Sequence, residues 1–110
     1  MEKESKSRAF ERLKKKIENE VLWIYVSYVL IKKGALSINE IKKEINDLFG
    51  IKVNTLYLYS IIYRMEEEGL IVKVEGDPKS TYTITPEGEL TYKKALVFLE
   101  EKLLQLKKLF

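Results

Sequence analysis

Cysteine and histidine are both absent from this 110-residue chain. Without cysteine there can be no disulfide, no iron–sulfur cluster and no thiolate zinc site. Without histidine the commonest general base and metal ligand is missing. No glycine-rich phosphate loop is present, and the carboxylates sit in charged runs rather than in pairs suited to acid–base work. The expectation is therefore a protein that is not an enzyme, with no metal and no cofactor. Arginine is also scarce, with 3 residues against 17 lysines. Set against 17 acidic residues, the 20 basic ones leave a net charge of +3, which permits a nucleic-acid partner without demanding one. Long apolar runs are lacking too. The longest, residues 21–31, covers 11 positions; it is too short to span a bilayer and has no small-residue cleavage site after it. The reading is a cytoplasmic protein with no membrane partner, of one domain or one domain with an appendage, large enough to bury a core without staples.

What is present is organised around residues 54–71, NTLYLYSIIYRMEEEGLI. Asn54 suits an N-cap, because its side-chain oxygen can accept a helix N–H that has no partner of its own. Leu58, Ile61, Ile62 and Met65 recur at helical spacing as one apolar face. At 100° per residue the opposite side carries Leu56, Ser60, Tyr63 and Glu67, flanked by Tyr57 and Arg64 on one edge and Tyr59 on the other. Gly69 fits the left-handed position just past a helix. Residues 70–74 then turn β-branched. The element has one side to bury and one hydroxyl-bearing side to show, as the recognition helix of a winged helix-turn-helix does.

The other elements follow in order. From Ser7, a stripe of Phe10, Leu13, Ile17, Val21, Ile24, Tyr28 and Ile31 at spacings of three and four predicts one long helix to about Lys33, with a break near Asn19 as the alternative. Residues 1–6 are polar and read as frayed. Within 21–31 the helix is apolar nearly all round, so it is covered on more than one side, which implies a partner chain. Gly34 ends it. Ser37 and Glu40 form a capping-box pattern for a second helix with Ile38, Ile41, Ile45 and Leu48 as its buried stripe, closed by Gly50. A short connection to Asn54 completes a helix-turn-helix. Residues 70–74 and 81–85 alternate as two strands around a projecting tip at 75–80, where Gly76 and Pro78 mark the turn. Thr85 and Pro86 open the last helix. In it Tyr92, Leu96, Leu99, Leu103, Leu106 and Phe110 fall at spacings of 4, 3, 4, 3 and 4, a coiled-coil seam whose natural partner is a terminal helix of a second subunit.

The fold class expected is mainly α with a small β-wing: a winged helix-turn-helix with long N-terminal and C-terminal dimerisation helices. The domain reading is a basic N-terminal helical arm at 1–18, a DNA-binding winged helix-turn-helix at 19–86 and a C-terminal dimerisation helix at 87–110. The order of elements resembles the PadR-like family of transcriptional regulators. The likeness is densest in Leu58-Tyr59-Ser60-Ile61-Ile62-Tyr63-Arg64-Met65-Glu66-Glu67-Glu68-Gly69-Leu70-Ile71. This run is similar to the family's Leu-Tyr, paired aliphatics, basic residue, acidic residues and Gly-Leu-Ile. Tyr82-Thr83-Ile84-Thr85 followed by Gly88 looks like its wing strand and helix entry. Family prolines are replaced by Thr55 and Ser60, a family basic position by Tyr63, and residues 1–20 lie outside the likeness. The resemblance implies a homodimer that binds a palindromic operator in double-stranded DNA and represses transcription.

Candidate DNA contacts are Thr55, Leu56, Tyr57, Ser60, Tyr63 and Arg64 on the third helix. Hydroxyls reach base edges or phosphates, Arg64 can grip guanine or a phosphate, and Leu56 can pack on a thymine methyl. Lys42, Lys43 and Lys52 flank the helix-turn-helix, and Lys73 and Lys79 lie on the wing, as phosphate contacts. Each of these lysines also reads as an ordinary solvated side chain. The segment 6–16 holds six basic residues against Glu11, a net +5, which either tracks phosphate or is the solvated face of a dimerising helix. The dimer interface is read as Tyr92, Leu96, Leu99, Leu103, Leu106, Phe110, Trp23 and Tyr28. Because some PadR-like dimers hold flat aromatic ligands, Trp23 with Tyr25, Tyr28 and Tyr92 is also a candidate pocket for an aromatic small-molecule effector, though core packing is the stronger reading. The alternatives in function are a winged-helix protein-interaction or architectural module and, behind it, a ligand-sensing regulator.

Overall fold

The computed structural model describes residues 7–110; the frayed end expected at 1–6, with Lys6, lies outside them. Five α-helices and a two-stranded antiparallel sheet follow one another as α1 (Arg8–Lys15), α2 (Leu22–Lys33), α3 (Ile38–Phe49), α4 (Thr55–Glu67), β1 (Ile71–Lys73), β2 (Tyr82–Ile84) and α5 (Pro86–Lys107). A π-helical turn, Lys16–Glu20, joins α1 to α2. The architecture is a winged helix-turn-helix, as the residue pattern predicts.

Helix starts and stops obey local chemistry. Ser37 and Glu40 form a reciprocal capping box, with Glu40 N–H donating to Ser37 Oγ at 3.2 Å and Ser37 N–H donating to Glu40 Oε1 at 2.9 Å. Asn54 Oδ1 accepts from Tyr57 N–H at 2.9 Å. Two donors that the first turn of a helix would otherwise leave unpaired are thereby satisfied. Gly69 stands past the end of α4 with φ +78°, where a side chain would meet a steric penalty, and its turn feeds β1 directly.

The core is one cluster, with Leu22, Val26, Val29 and Leu30 of α2, Ile41 and Ile45 of α3, Leu58, Ile61, Ile62 and Met65 of α4, and Ile51, Val53, Leu70 and Ile71 beside them. All four predicted apolar positions of α4 are buried. Two expectations need correction. The first helix is not continuous, because the chain breaks at Val21 (φ −111°, ψ 32°) after the π-helical turn, where the alternative had placed the break. The stripe that predicted this helix proves to be the outer one. Phe10, Leu13, Ile17 and Ile31 are exposed, Val21, Ile24 and Tyr28 are half-buried, and the core takes the opposite face of α2. A helix that is apolar all round carries two stripes, and periodicity alone does not say which one α3 and α4 will cover. Leu48 is exposed. The covered stretch of α3 ends a turn earlier, and Phe49 instead sets its ring edge-on to Tyr25 and Tyr28, with centroids 4.9 and 5.3 Å apart.

The wing pairs Ile71 with Ile84, Val72 with Thr83 and Lys73 with Tyr82. A further bridge joins Leu36, between α2 and α3, to Tyr82 through N–H···O bonds of 3.0 and 2.8 Å, so the wing is anchored to the start of the helix-turn-helix. Its tip is tied by Asp77, which accepts from Thr81 Oγ1 at 2.6 Å and from Lys79 N–H at 2.8 Å. Thr85 caps α5 by accepting from Gly88 N–H at 2.9 Å and also donates to Gly69 O at 2.6 Å. A Cβ at Gly88 would lie 2.0 Å from Leu70 O, so only glycine allows the first turn of α5 to rest on the entry to β1. Beyond Tyr92 the helix leaves the core, with Leu96, Val97, Phe98, Leu99, Leu103, Leu104 and Leu106 all exposed.

Candidate nucleic-acid interface

The outer face of α4 is open along its length. Its inner aliphatics are locked into the core, which turns Leu56, 80% exposed, and Tyr59, Ser60 and Tyr63, 61% exposed at the last, away from it. Not every hydroxyl predicted for this face is available. Tyr63 is held above its ordinary pKa, first by a hydrogen bond to Glu67 and then by that carboxylate's charge. Ser60 Oγ donates back to Tyr57 O at 2.6 Å, and Thr55 Oγ1 accepts from Lys42 Nζ at 2.7 Å. Tyr57 points sideways, and its hydroxyl donates to Asn19 O, in the π-helical turn, at 2.9 Å. Arg64 is exposed and lines a recess of about 250 Å³ with Glu20, Trp23, Ile61 and Glu68.

Two recesses flank α4. One gathers Lys42, Lys43 and Lys52 with Asn39 and Asn46. Within it Lys43 pairs with Asp47 at 2.8 Å, and that bond and charge raise its pKa. The other brings the wing residues Lys73, Lys79, Ser80 and Tyr82 against Tyr59 and the start of α3. Asn39 lines both, so the helix-turn-helix lysines, Tyr59 of α4 and the wing lysines form one continuous surface. Asn39, Asn46, Tyr59 and Ser80 belong to it and were not among the predicted contacts. The 100° arithmetic already put Tyr59 on an edge of the outer face. For Asn39 and Asn46 no signal was available, because their place depends on how α3 meets the following loop.

The predicted dimer residues fall in three places. Tyr28, Tyr92, Leu96 and Leu99 line an apolar groove of about 310 Å³ with Ile17, Val21, Ile24, Tyr25 and Phe49. Burial raises the pKa of Tyr92, with Tyr28 adding to the effect. Leu103, Leu106 and Phe110 extend beyond it, fully on the outside. Trp23 is not part of this groove; it lies in the recess beside Arg64, so within one protomer the four aromatics proposed for an effector pocket are not together.

The fold and this surface define a winged helix-turn-helix with an open recognition helix. No protein-family model and no curated protein matches the sequence. Solved structures do match. A transcriptional regulator from Clostridium thermocellum shares 26% identity and a TM-score of 0.74, covering 84% of this chain and 95% of its own. A PadR-family transcriptional regulator from Eggerthella lenta shares 19% identity and a TM-score of 0.73, covering 94% of this chain and 96% of its own. A PadR-like transcription factor from Bacteroides fragilis shares 16% identity and a TM-score of 0.72, covering 90% and 99%. The chain has the fold of the PadR-like transcriptional regulators, as the resemblance in residues 58–71 implies. Among the described residues no helix is long and apolar enough to cross a membrane.

Proposed function

We propose that the protein is a sequence-specific DNA-binding transcriptional regulator, a repressor that acts as a homodimer on a palindromic operator. The observation that carries this reading is the surface that joins Lys42 and Lys52 to Tyr59 of α4 and to Lys73 and Lys79 of the wing, together with the exposure of Leu56 and Tyr63 on the same helix. Each α4 enters a major groove, and Leu56, Tyr59, Tyr63 and Arg64 meet base edges. The two lysine-bearing recesses lie over phosphates on either side, which position the helix without reading sequence. Thr55, Tyr57 and Ser60 act from behind this front, by fixing Lys42, the arm and the helix backbone. The homodimer follows from the apolar groove and the bare end of α5, since exposed apolar surface on this scale marks an interaction site. Half-sites then lie about one helical turn apart, ~34–36 Å.

Selection of bound sequences from random duplexes, followed by gel shift, tests the reading. The Tyr63→Ala, Arg64→Ala double variant should bind the selected site roughly 10- to 100-fold more weakly, as the loss of about 1–3 kcal/mol of base readout requires. Binding without sequence preference, unmoved by these substitutions, overturns it. One observation favours a second reading, a module that docks a protein. The outer face is richer in Leu56 and tyrosine than in cations, and Glu67 beside the Tyr63 hydroxyl raises its pKa. Loss of all duplex binding at moderate salt selects that reading.

A further inference from the structure

If α4 reads DNA with so few cations of its own, most of the affinity has to come from elsewhere. The arm offers a source. Arg8, Arg12 and Lys15 stand at spacings of four and three along one side of α1, where they line a shallow recess with Glu11. Phe10, Leu13 and Ile17 occupy the opposite side. All three basic residues are exposed. Of the acidic residues nearby, Glu11 borders the recess and pairs with Lys14 at 3.8 Å, and Glu20 pairs with Lys16 at 3.9 Å. Glu18 belongs to the joint, where burial first, and then the Glu18 charge, raises the pKa of Tyr25.

The position of the arm is not arbitrary. Its π-helical base is pinned twice. Tyr57 O–H, in the first turn of α4, donates to Asn19 O at 2.9 Å, and Tyr25 O–H, in α2, donates to Ile17 O at 2.9 Å. The arm therefore departs from beside the N-terminal turn of the recognition helix, the end of a helix that favours phosphate. Its apolar side runs, through Ile17, into the groove that the dimer is proposed to fill. One side of α1 is thus continuous with an interface between protomers, and the basic side is turned outward.

We propose that α1 is a second DNA-contacting element, with Arg8, Arg12 and Lys15 lying on the phosphate backbone that flanks the recognition helix. The inference rests on the DNA-binding reading above and adds a contact that the fold's helix-turn-helix and wing do not include. Eight residues of α1 and five of the π-helical turn reach roughly 20 Å at ~1.5 Å per residue. That is about six base pairs at ~3.4 Å each. Because the contacts are to phosphate, they add affinity without sequence preference. The fixed joint lowers the ordering cost that a loose basic tail would incur on binding.

The test is a fluorescence-anisotropy titration of the full chain against a selected operator duplex and a random duplex at several salt concentrations. The Arg8→Ala, Arg12→Ala, Lys15→Ala variant should lose the same factor against both duplexes. With both arms of the dimer engaged, its slope of log affinity on log salt should fall by about 5, at ~0.9 per phosphate contact. An Arg8→Lys, Arg12→Lys variant should retain both, since a point charge suffices for phosphate. Trimming roughly six base pairs from each end of the operator should erase the difference between wild type and the triple variant. A triple variant with unchanged helicity, affinity and salt slope overturns the inference and leaves the parent reading intact. A wild type that binds no duplex overturns both. A basic amphipathic helix can also bind anionic lipid. Sedimentation with phosphatidylserine–phosphatidylcholine vesicles that depends on these three residues, with DNA affinity unmoved, would overturn the inference in favour of a membrane surface.

Discussion

Leu58 in α4 and Leu103 in α5 each sit on the apolar seam of their own helix, yet the first is 0% exposed and the second 55%. The contrast holds for the regions around them. The inner faces of α2, α3 and α4 close on one another within a single chain. The outer stripe of α1 and α2, together with the distal half of α5, is made of the same leucines, isoleucines and aromatics and is left open. Burial rewards an apolar side chain only where another surface arrives to cover it. The first region is complete as one protomer. The second, on the homodimer reading, is complete only as two.

The largest expected effect lies in the closed region. Leu58→Ala should cost about 2–5 kcal/mol, the range for a leucine cut back in a packed core, read by denaturant unfolding at fixed protein concentration. A loss below about 1 kcal/mol would mean that the core around α4 is not close-packed. In the open region the same kind of change should leave the fold standing and remove the partner. Leu99→Lys with Leu103→Lys should reduce the mass measured by light scattering to that of one 13.0 kDa chain while helicity persists. An unchanged mass would rule out the α5 seam.

A third prediction sharpens the boundary between the two regions, which runs through α5 itself. Gly88→Ala puts a methyl group against the Leu70 carbonyl and should destabilise by about 1–3 kcal/mol, as overpacking does; a neutral result would show that the first turn of α5 is not seated on the wing. The smallest effect concerns the tip of the wing. The Asp77 carboxyl is held below its ordinary value of 3.8, first by the Thr81 hydroxyl and then by Lys79 N–H. A depressed value means that the tip's stabilisation is present above pH 3.8 and is lost as pH falls from there through the folded value. The protection of Lys79 N–H against hydrogen exchange, taken relative to its intrinsic rate at each pH, should fall over that window in wild type and show no such step in Asp77→Asn. Equal behaviour of the two would mean that the tip is held by something else.

Much of the fold was legible in the residues because its rules are local. The capping box at Ser37 and Glu40, the cap at Asn54, the glycine after α4, the turn at the tip of the wing and the opening of α5 at Thr85 and Pro86 each depend on neighbours within a few positions. The candidate interface was only partly legible. Tyr57 and Thr55 lie on the predicted helix, but their hydroxyls are engaged by Asn19 and Lys42, partners 38 and 13 residues away in sequence. Asn39 joins the surface only because α3 and the wing come together. The Leu36–Tyr82 bridge was invisible, since a single pair has no period.

The sequence by itself determined where α3 and α4 start and stop and where α5 starts, which face of α4 is apolar, and that more apolar surface exists than one small domain can cover. Tertiary structure alone decided which stripe of α2 faces inward, that the chain breaks at Val21, and which tyrosine hydroxyls are left for a partner. The reason is physical: capping and periodicity act over one or two turns of chain, whereas the choice between two equally apolar faces is made by whichever distant element packs against one of them.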